Sequence, residues 1–546
     1  MTFPDPAHGT VHAAFAAAAA RWPDAPFLRL LPETAAAYGI DAGDLRYGQA
    51  FEDVDRLRLR YRAAGLGAGH RVGLLLENRP SFFLHWIALN ALGVSVVPIG
   101  IDLRTAELEY LIGHSEIRLA VSLASRVDDL RTAAARAGHA LAVVTPDSRD
   151  PRPPLGDGSA QRPDLDTECA LLYTSGTTGR PKGCVLTNRY FLQAGTWYAR
   201  LDGECAIREH DVLITPLPMT HMNAMAFSTL VMVLTGGCIV PLDRFHPRSW
   251  WDSVRTSQAT LVHYLGVMPA MLTGGPETPS DRDHRVRFGF GAGVDPRLHA
   301  PFEARFGFPL IEAWAMTETG AGGVIIANRE PRLVGTACFG RAPDDLDVML
   351  VDDDGHPVGV DENGELLVRA AGDDPRRGFF REYLKDPEAT ADAWRDGWFH
   401  TGDVVRCDVQ GNFHFVDRRK NVIRRSGENI SAVEVESVLR QHPTVAQVAV
   451  ASTPDPMRGD EVLACVVPNA LVAAECREAI AADIVHFCLS QLAYFKAPGY
   501  VAFVDALPVT ASQKIQRGEL KALAATLPGQ PHVVDTRALK KRTNAT

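Results

Sequence analysis

The sequence predicts an α/β protein that has a large N-terminal domain of doubly wound sheets with a β subdomain, and a small α+β domain at its C-terminal end. Apolar strands alternate with helices through the first half, which indicates parallel strands with helices on both faces. From about residue 335, short strands are joined by Asp-Gly type turns, which is typical of a β subdomain. Since a chain of 546 residues is too long for one ordinary core, we expect two or more domains.

The first half of the chain supplies the alternation of helices and strands. A helix is predicted from Val11 and is ended by Pro23, and Ser81 is expected to cap a second helix that Gly93 ends. A further helix is predicted over 107–114. The strands predicted in this half span residues 72–76, 94–99, 119–123, 140–145, 211–218, 238–242 and 261–266.

The second half contains two further patterns. Residues 347–358 and 364–370 are short strands of the predicted β subdomain. Residues 416–439 predict a basic hairpin followed by a helix, and Ser431 with Glu434 forms a capping box at the start of that helix. The remaining elements of the small α+β unit are strands over 445–453, 461–468 and 500–507 and a helix near 475–492.

Composition and charge limit the functions that the chain can have. Apolar residues make up 46% and charged residues 22%, which is typical of a soluble globular protein. The net charge of −10 argues against a general nucleic-acid binder. The charge is uneven, because residues 418–546 hold 16 Lys and Arg against 12 Asp and Glu. A small basic end on an acidic body suits a mobile lid that handles phosphates, although a solvated basic surface is the alternative.

The distribution of cysteines and the composition of the first residues predict the cellular compartment of the protein. The nine cysteines are dispersed, without a CxxC pair or a histidine at metal-ligand spacing, which favours buried thiols in a reducing environment. The alanine-rich start lacks the basic region of a signal peptide, and no apolar run approaches the length of a membrane span. We therefore expect a cytoplasmic protein without a membrane span.

A segment rich in glycine and hydroxyl groups follows an apolar strand that ends near Tyr173. Glycines let backbone N–H groups approach a ligand, and the hydroxyls together with the charge of Lys182 complete a cradle for a polyphosphate. The segment differs from a P-loop because Pro181 precedes Lys182, Gly183 follows it, and the segment joins two strands. A plain glycine-rich hairpin is the alternative. The residues of the segment are Thr174, Ser175, Gly176, Thr177, Thr178, Gly179 and Lys182.

Four other stretches carry polar groups that suit the same ligand. Thr317 and Glu318 follow an apolar strand, where a hydroxyl and a carboxylate suit a phosphate and its magnesium ion. The Asp403 carboxylate suits a ribose diol, and the Arg418 guanidinium suits a ribose or a phosphate. Lys514 lies in a polar turn near the end of the chain. Taken singly, each has an ordinary alternative as a strand end, a turn, a solvated hairpin or a surface lysine.

Together, and in this order, the five motifs resemble those of the adenylate-forming (AMP-binding) enzymes, which include acyl-CoA synthetases, peptide-synthetase adenylation domains and firefly luciferase. The resemblance covers nearly the whole chain. Residues 415–436, "FVDRRKNVIRRSGENISAVEVE", and 495–521, "FKAPGYVAFVDALPVTASQKIQRGELK", are most similar to the crotonobetaine/carnitine-CoA ligase branch of the acyl-CoA synthetases.

The resemblance implies a fold, a reaction and a set of cofactors. It implies an N-terminal domain over 1–417 that binds ATP and the acyl group, and a mobile lid over 418–546 that is hinged just after Arg418. A carboxylic acid is first joined to ATP as an acyl-adenylate with release of pyrophosphate, and coenzyme A then displaces AMP to give the thioester. The implied enzyme is an AMP-forming acid–thiol ligase that uses ATP, Mg²⁺ and coenzyme A.

The resemblance also implies roles around the nucleotide. Residues 174–179 and Lys182 would hold the leaving phosphates, Glu318 would bind Mg²⁺, and Thr317 would contact the α-phosphate. Trp314 would stack on the adenine ring.

Further roles follow for the ribose, the acid and coenzyme A. Asp403 and Arg418 would hold the ribose. Lys514 would bridge the attacking carboxylate and the α-phosphate, where two anions meet. His221 would line the approach of the acyl carboxylate, and Gly427 would line the pantetheine tunnel, where a Cβ would obstruct the passage.

The sequence departs from the family pattern at three places. Trp314 and Ala315 stand where Tyr-Gly is usual, and the Ala315 methyl is expected to narrow the acyl pocket, which predicts a small or medium acid. Asp417 stands in place of a common glycine, as in the carnitine-type branch, and Gln513 stands in place of the glycine that usually precedes the catalytic lysine.

Several alternatives remain open at the level of sequence. A stand-alone adenylating enzyme that loads a carrier protein would share every ATP motif, and a nucleotide-binding homologue without turnover would share most of them. A carnitine-like acid would carry a quaternary ammonium group, which calls for aromatic or acidic walls. The identity of the acid, and whether the chain forms a homodimer, are left open.

Overall fold

The computed structural model describes most of the chain. It covers residues 9–103, 105–148, 159, 161–174, 181–352, 354–418, 422–425, 428–455, 459–492, 494–509 and 515–540. At 418, 422, 424, 428, 429 and 459 it describes the backbone alone.

The helices are, in chain order, α1 (Val11–Arg21), α2 (Pro32–Tyr38), α3 (Tyr47–Ala63), α4 (Pro80–Asn90), α5 (Thr105–Ser115), α6 (Val127–Arg136), α7 (Asn188–Ala199), α8 (Thr229–Thr235), α9 (Trp250–Ser257), α10 (Val267–Thr273), α11 (Pro296–Phe306), α12 (Pro387–Ala393), α13 (Ala432–Leu439), α14 (Arg477–Leu489) and α15 (Arg517–Thr526). A π-helical turn, Asn223–Ser228, leads directly into α8.

The strands are, in chain order, β1 (Pro26–Leu30), β2 (Gly43–Arg46), β3 (Arg71–Leu75), β4 (Ser95–Pro98), β5 (Leu119–Ser122), β6 (Ala142–Val144), β7 (Glu168–Thr174), β8 (Lys182–Thr187), β9 (Val212–Thr215), β10 (Cys238–Pro241), β11 (Leu261–Leu265), β12 (Phe288–Ala292), β13 (Leu310–Trp314), β14 (Ile325–Ile326), β15 (Cys338–Gly340), β16 (Leu346–Val351), β17 (Asn363–Ala370), β18 (Trp394–Arg395), β19 (Trp398–Cys407), β20 (Phe413–Arg418), β21 (Val422–Arg425), β22 (Glu428–Ser431), β23 (Val445–Asp455), β24 (Gly459–Pro468), β25 (Tyr500–Phe503) and β26 (Val533–Asp535).

Two sheets with parallel centres form the large N-terminal part. The first has the order β6-β5-β3-β4-β7-β8, and it is parallel except for the last strand, β8. The second has the order β14-β13-β12-β11-β9-β10-β1-β2, with antiparallel strands only at its two edges. The predicted α/β architecture is confirmed.

Two smaller sheets complete the fold. The order β15-β20-β19-β17-β16 is antiparallel and forms the predicted β subdomain, with β18 paired to β19. The order β22-β21-β24-β25-β26, with β23 paired to β24, forms the small C-terminal unit with α13, α14 and α15. The predicted α+β texture of this unit is therefore confirmed.

Helices α7 and α8 pack closely in the main core, which extends across both large sheets. The close approach depends on Gly195 of α7, because a Cβ there would lie 2.5 Å from the Cβ of Leu230. Glycine removes that clash and lets the two helices meet.

One predicted helix start is wrong and another is confirmed. Helix α4 begins at Pro80 with Arg79 as its N-cap and no side-chain cap bond, so Ser81 is not the cap. Proline at the first helical position has no N–H that needs a partner and a φ that suits the helix, so α4 begins there, one residue before Ser81. Ser431 does cap α13 by accepting from the backbone N–H of Glu434.

Two further sequence-based expectations concern cysteines and membranes. All nine cysteines are free thiols, and most of them are buried, as predicted. Among the helices of the described ranges, none is long and apolar enough to cross a membrane.

Candidate functional site

The predicted phosphate segment lies between two antiparallel strands. Thr174 at the end of β7 stands opposite Lys182 at the start of β8, so the segment joins two strands as the sequence predicts. The inner residues of both strands are buried, whereas Thr174 and Lys182 at the strand ends are partly exposed. Five of its predicted ligand-binding residues lie outside the described ranges: Ser175, Gly176, Thr177, Thr178 and Gly179.

Glu318 is a buried carboxylate at the end of this hairpin. It lies in the turn after β13 and is only 6% exposed. The Thr174 hydroxyl donates to its Oε1 over 3.2 Å, and the Tyr383 hydroxyl donates to the same oxygen over 2.9 Å. Thr317, beside it, has its carbonyl oxygen held by the Tyr190 hydroxyl at 2.9 Å. The structure therefore brings the first two predicted motifs into direct contact.

The groups around Glu318 are neutral donors, with one cation close by. Burial raises the pKa of the Tyr383 hydroxyl far above its ordinary value, and the Glu318 charge adds to the rise. Burial, with the same charge, also raises the pKa of the Cys184 thiol. The Lys182 ammonium lies 4.8 Å from the centre of the Tyr383 ring. The carboxylate is thus held in place by protonated groups next to a positive charge.

Residues 380–384, which we call the tie segment, hold Tyr383 in place through backbone bonds. The Arg381 and Leu384 N–H groups donate to carbonyl oxygens of β8 over 2.9 and 2.8 Å, and the Glu382 carbonyl accepts from β8 over 2.9 Å. The Phe380 N–H donates to the carbonyl oxygen of Glu318 over 2.8 Å. Tyr383 was not predicted from the sequence, since a single tyrosine in "GFFREYLKDP" belongs to none of the five motifs.

Trp314 and Asp403 form a second contact between predicted residues. Trp314 ends β13, and its Nε1–H donates to Asp403 Oδ2 over 2.9 Å. Both residues are buried, and Asp403 on β19 stands opposite Arg418 on β20. The side chain of Arg418 lies outside the described part of the chain, so only its backbone position is known.

His221 lies on the same edge of the second sheet as Trp314. It follows β9, and its N–H donates to the Pro218 carbonyl oxygen over 3.0 Å. Because β9 and β13 run parallel in one sheet, their carboxyl ends meet at one edge, which is where open α/β sheets bind ligands. The side chain of His221 is exposed, and Ala315 is partly buried against the main core.

Two predicted residues of the small C-terminal unit cannot be placed. Lys514 and Gly427 both lie outside the described ranges, and their roles remain predictions.

Comparison with known proteins decides the family. The family model described as "AMP-binding enzyme" matches residues 15–384, and the model described as "AMP-binding enzyme C-terminal domain" matches residues 434–514. The chain belongs to the AMP-binding enzymes.

Curated relatives of this AMP-binding enzyme include crotonobetaine/carnitine–CoA ligases. The protein of that name from Salmonella paratyphi A (strain ATCC 9150 / SARB42) is 31% identical over 493 residues, which cover 87% of this chain and 92% of the relative. The protein of that name from Escherichia coli O8 (strain IAI1) is 30% identical with the same coverage. The predicted resemblance to this branch is confirmed.

Solved structures share the fold of this AMP-binding enzyme. ATP-bound MatB from Rhodopseudomonas palustris is 26% identical with a TM-score of 0.75, and the match covers 93% of this chain and 98% of that one. A benzoate CoA ligase from Burkholderia xenovorans LB400 has a TM-score of 0.77 over 94% and 99% of the two chains, at 21% identity. The second likeness supports the fold alone.

In this AMP-binding enzyme, Asp417 joins the body to the small C-terminal unit. Its carboxylate is buried at the start of α13, where Oδ2 lies 3.1 Å from the Ser431 hydroxyl and accepts from the Val433 N–H over 3.4 Å. A negative charge at a helix N-terminus is stabilising. The sequence comparison singled out Asp417 only as a departure from the family pattern and missed this contact.

Proposed function

We propose that this AMP-binding enzyme joins a small or medium carboxylic acid to coenzyme A, using ATP and releasing AMP and pyrophosphate through an acyl-adenylate. The observation that carries the proposal is the buried Glu318 carboxylate, which the hydroxyls of Thr174 and Tyr383 hold at the end of the phosphate hairpin. The family match and the acid–CoA ligases among the relatives support the reaction class.

The residues around Glu318 fit a divalent cation. Magnesium prefers oxygen ligands and is usually held by one or two carboxylates together with substrate phosphates. The hydroxyls of Thr174 and Tyr383 both donate to Oε1 of Glu318, and a carboxylate has a second oxygen, Oε2, that can bind a metal ion. A bound Mg²⁺ would neutralise phosphate charge here, with Glu318 as its protein ligand and Thr317 beside the α-phosphate.

The nucleotide is proposed to lie along the carboxyl edge of the second sheet. Lys182 and residues 174–179 would hold the leaving phosphates, and the Trp314 ring would stack on adenine. The bond between Trp314 Nε1 and Asp403 fixes the ring plane relative to the carboxylate. Asp403, together with Arg418, would then hold the ribose.

In the first half-reaction, an oxygen of the acid attacks the α-phosphorus of ATP and the bond to pyrophosphate breaks. Two anions must meet at this step, and we assign Lys514 to neutralise them. His221 is assigned to the approach of the acid's carboxylate, since it lies exposed on the same sheet edge as Trp314.

In the second half-reaction, the thiol sulfur of coenzyme A attacks the acyl carbon, the thiol proton is released, and AMP leaves with the bonding electrons. We propose that residues 418–546 form a lid that turns against residues 1–417 between the two steps. Two hydrophobic clusters between Ile423 and Leu539 contain residues of this unit alone, which supports a separate domain. Gly427 is assigned to the pantetheine tunnel.

A panel of carboxylic acids tests the proposed function. Pyrophosphate release and thioester yield are measured for each acid with ATP, Mg²⁺ and coenzyme A, and thioester is expected from at least one small or medium acid. Pyrophosphate release without thioester would favour a carrier-protein loading enzyme, and the absence of both would favour a nucleotide-binding homologue.

The variant Gly427→Trp tests whether coenzyme A is the acyl acceptor and reaches the site past Gly427. It is expected to keep pyrophosphate release and to lose thioester formation, and equal thioester yields would remove Gly427 from the tunnel. A homodimer and a cytoplasmic location remain predictions, which sedimentation velocity and cell fractionation test.

A further inference from the structure

A buried network of hydrogen-bonded side chains lies beneath the sheet edge that carries His221. Its centre is His263 on β11, which is fully buried. The Tyr198 hydroxyl lies 3.0 Å from His263 Nε2, and Asn223 Oδ1 lies 2.7 Å from His263 Nδ1. The Ser228 hydroxyl lies 2.8 Å from the same Nδ1 and donates to the backbone carbonyl of Asn223 over 3.1 Å.

Burial sets the protonation states of the side chains in this network. Burial lowers the pKa of His263 to about 3, so the ring is neutral near pH 7 and carries one N–H. Burial raises the pKa of the Tyr198 hydroxyl, which therefore keeps its proton. Within the described ranges His263 is the one acceptor for that hydroxyl, and a buried donor without an acceptor is costly. Tyr198 therefore donates to Nε2, and the ring proton resides on Nδ1.

This proton order fixes the Asn223 carboxamide. Because His263 Nδ1–H donates, the amide oxygen Oδ1 must face inward to accept. The amide Nδ2 then lies on the opposite side of the carboxamide, and no residue in the described part of the chain accepts from it. Asn223 is half-buried, whereas Tyr198, Ser228 and His263 are buried. Since Oδ1 faces these buried groups, the donor Nδ2 is turned away from them.

The position of Asn223 places this donor beside the reaction site. Asn223 lies two residues after His221 and follows the carboxyl end of β9. It is also the first residue of the π-helical turn, and such turns are rare and often occur at functional sites.

We propose that Asn223 Nδ2 donates a hydrogen bond to an oxygen on the acyl chain of the acid, so that the enzyme selects acids carrying a carbonyl, hydroxyl or second carboxylate oxygen over plain alkyl acids of equal length. Tyr198 and His263 are positioning residues that act through Asn223. The proposal rests on the proposed acid–CoA ligation and narrows its substrate class. An alkyl acid would leave the amide donor facing apolar atoms, which costs free energy.

Matched pairs of acids test the proposal. We compare kcat/KM for 3-hydroxybutanoate with that for butanoate, and for succinate with that for pentanoate, in wild type and Asn223→Leu. In wild type, at least one of the two oxygen-bearing acids is expected to have a kcat/KM about 10-fold above that of its alkyl partner. In Asn223→Leu the ratio of the two kcat/KM values should fall to near one.

Two outcomes overturn the inference. One is a wild-type preference for both alkyl acids, and the other is a ratio that Asn223→Leu leaves unchanged. If the ratio is unchanged because both members of a pair lose rate equally, Asn223 acts on the reacting carboxylate. Failure of wild type to form thioester from any acid would instead refute the proposed function, so the two failures are distinguishable.

A second variant tests the positioning role. Tyr198→Phe removes the hydroxyl that sets the His263 tautomer, and it should reduce the acid preference by at least ~3-fold. Nitrogen-15 NMR should show the ring proton on Nδ1 in wild type and a changed tautomer population in the variant. A wild-type ring that is protonated at Nε2 would contradict the proton order.

Tyr47→Phe is the matched control for losing a buried tyrosine hydroxyl. Tyr47 is fully buried, and its hydroxyl lies 2.9 Å from two carbonyl oxygens, of Met232 and Gly237. This variant should leave the acid preference unchanged. An equal change of preference in both tyrosine variants would show a general loss of packing and would overturn the positioning role.

Discussion

Removal of one hydroxyl from Tyr383 should weaken magnesium-dependent adenylation. In Tyr383→Phe the ring stays in place, but Glu318 loses the 2.9 Å hydrogen bond from the phenol. Both residues are less than a tenth exposed, and a hydrogen bond to a charged group contributes about 1.5–3 kcal/mol. Because the Thr174 hydroxyl remains at 3.2 Å, we expect the lower part of this range, which is roughly 10-fold in kcat/KM for acyl-adenylate formation.

The assay measures pyrophosphate release over a range of Mg²⁺ concentrations. A Glu318 carboxylate that is less well fixed should raise the Mg²⁺ concentration for half-maximal rate, so excess Mg²⁺ should restore part of the loss. Tyr47→Phe serves as the control and should leave the Mg²⁺ dependence unchanged. If Tyr383→Phe lowers the melting temperature but leaves the Mg²⁺ curve at the wild-type position, the assignment of Glu318 to the metal is refuted.

Three further perturbations address other parts of the molecule. Lys514→Ala should reduce acyl-adenylate formation by about 100-fold or more while still converting supplied acyl-adenylate and coenzyme A to thioester, and an equal fall in both half-reactions would contradict its assignment. Ala315→Gly should shift kcat/KM toward bulkier acids, by roughly 10-fold for one methylene, and an unchanged ratio would remove Ala315 from the acyl pocket. The Lys540 ammonium lies 2.5 Å from Glu461 Oε1, and burial lowers the pKa of Lys540 from 10.5 to about 8. Between pH 8 and 10.5 the folded state therefore binds fewer protons than the unfolded state, so the free energy of unfolding should rise with pH in this range. Lys540→Met, measured by thermal melts at several pH values, should lack this rise of stability between pH 8 and 10.5; the same pH slope in variant and wild type would refute the linkage.

Much of the fold was readable because its strands are short apolar runs between breakers. Strands β4, β5, β6, β9, β10 and β11 fall within the predicted spans, and β3 begins one residue before its span. The error at Ser81 has a local cause, since Pro80 already begins α4 without a hydroxyl cap. The apolar periodicity therefore predicted the position of an element more reliably than a single capping residue predicted where a helix begins.

The candidate site was only partly readable from the sequence. Motifs supplied Glu318 and Asp403, because the predicted nucleotide-binding groups follow the order of the family's motifs along the chain. They could not supply Tyr383, which contacts Glu318 across 65 positions, or His263, which contacts Asn223 across 40. Such contacts depend on how helices and strands pack, and no local periodicity records them.

The tie segment has a consequence for how this protein can change over evolutionary time. Strand β8 ends its sheet, and an uncovered strand edge invites pairing with another chain. The tie segment occupies part of that edge through backbone atoms, so the exposed side chains of Arg381 and Glu382 are free to vary without opening it. A proline at 381 or 384 is different, because it would remove an N–H that bonds to β8 and would expose the edge to self-association.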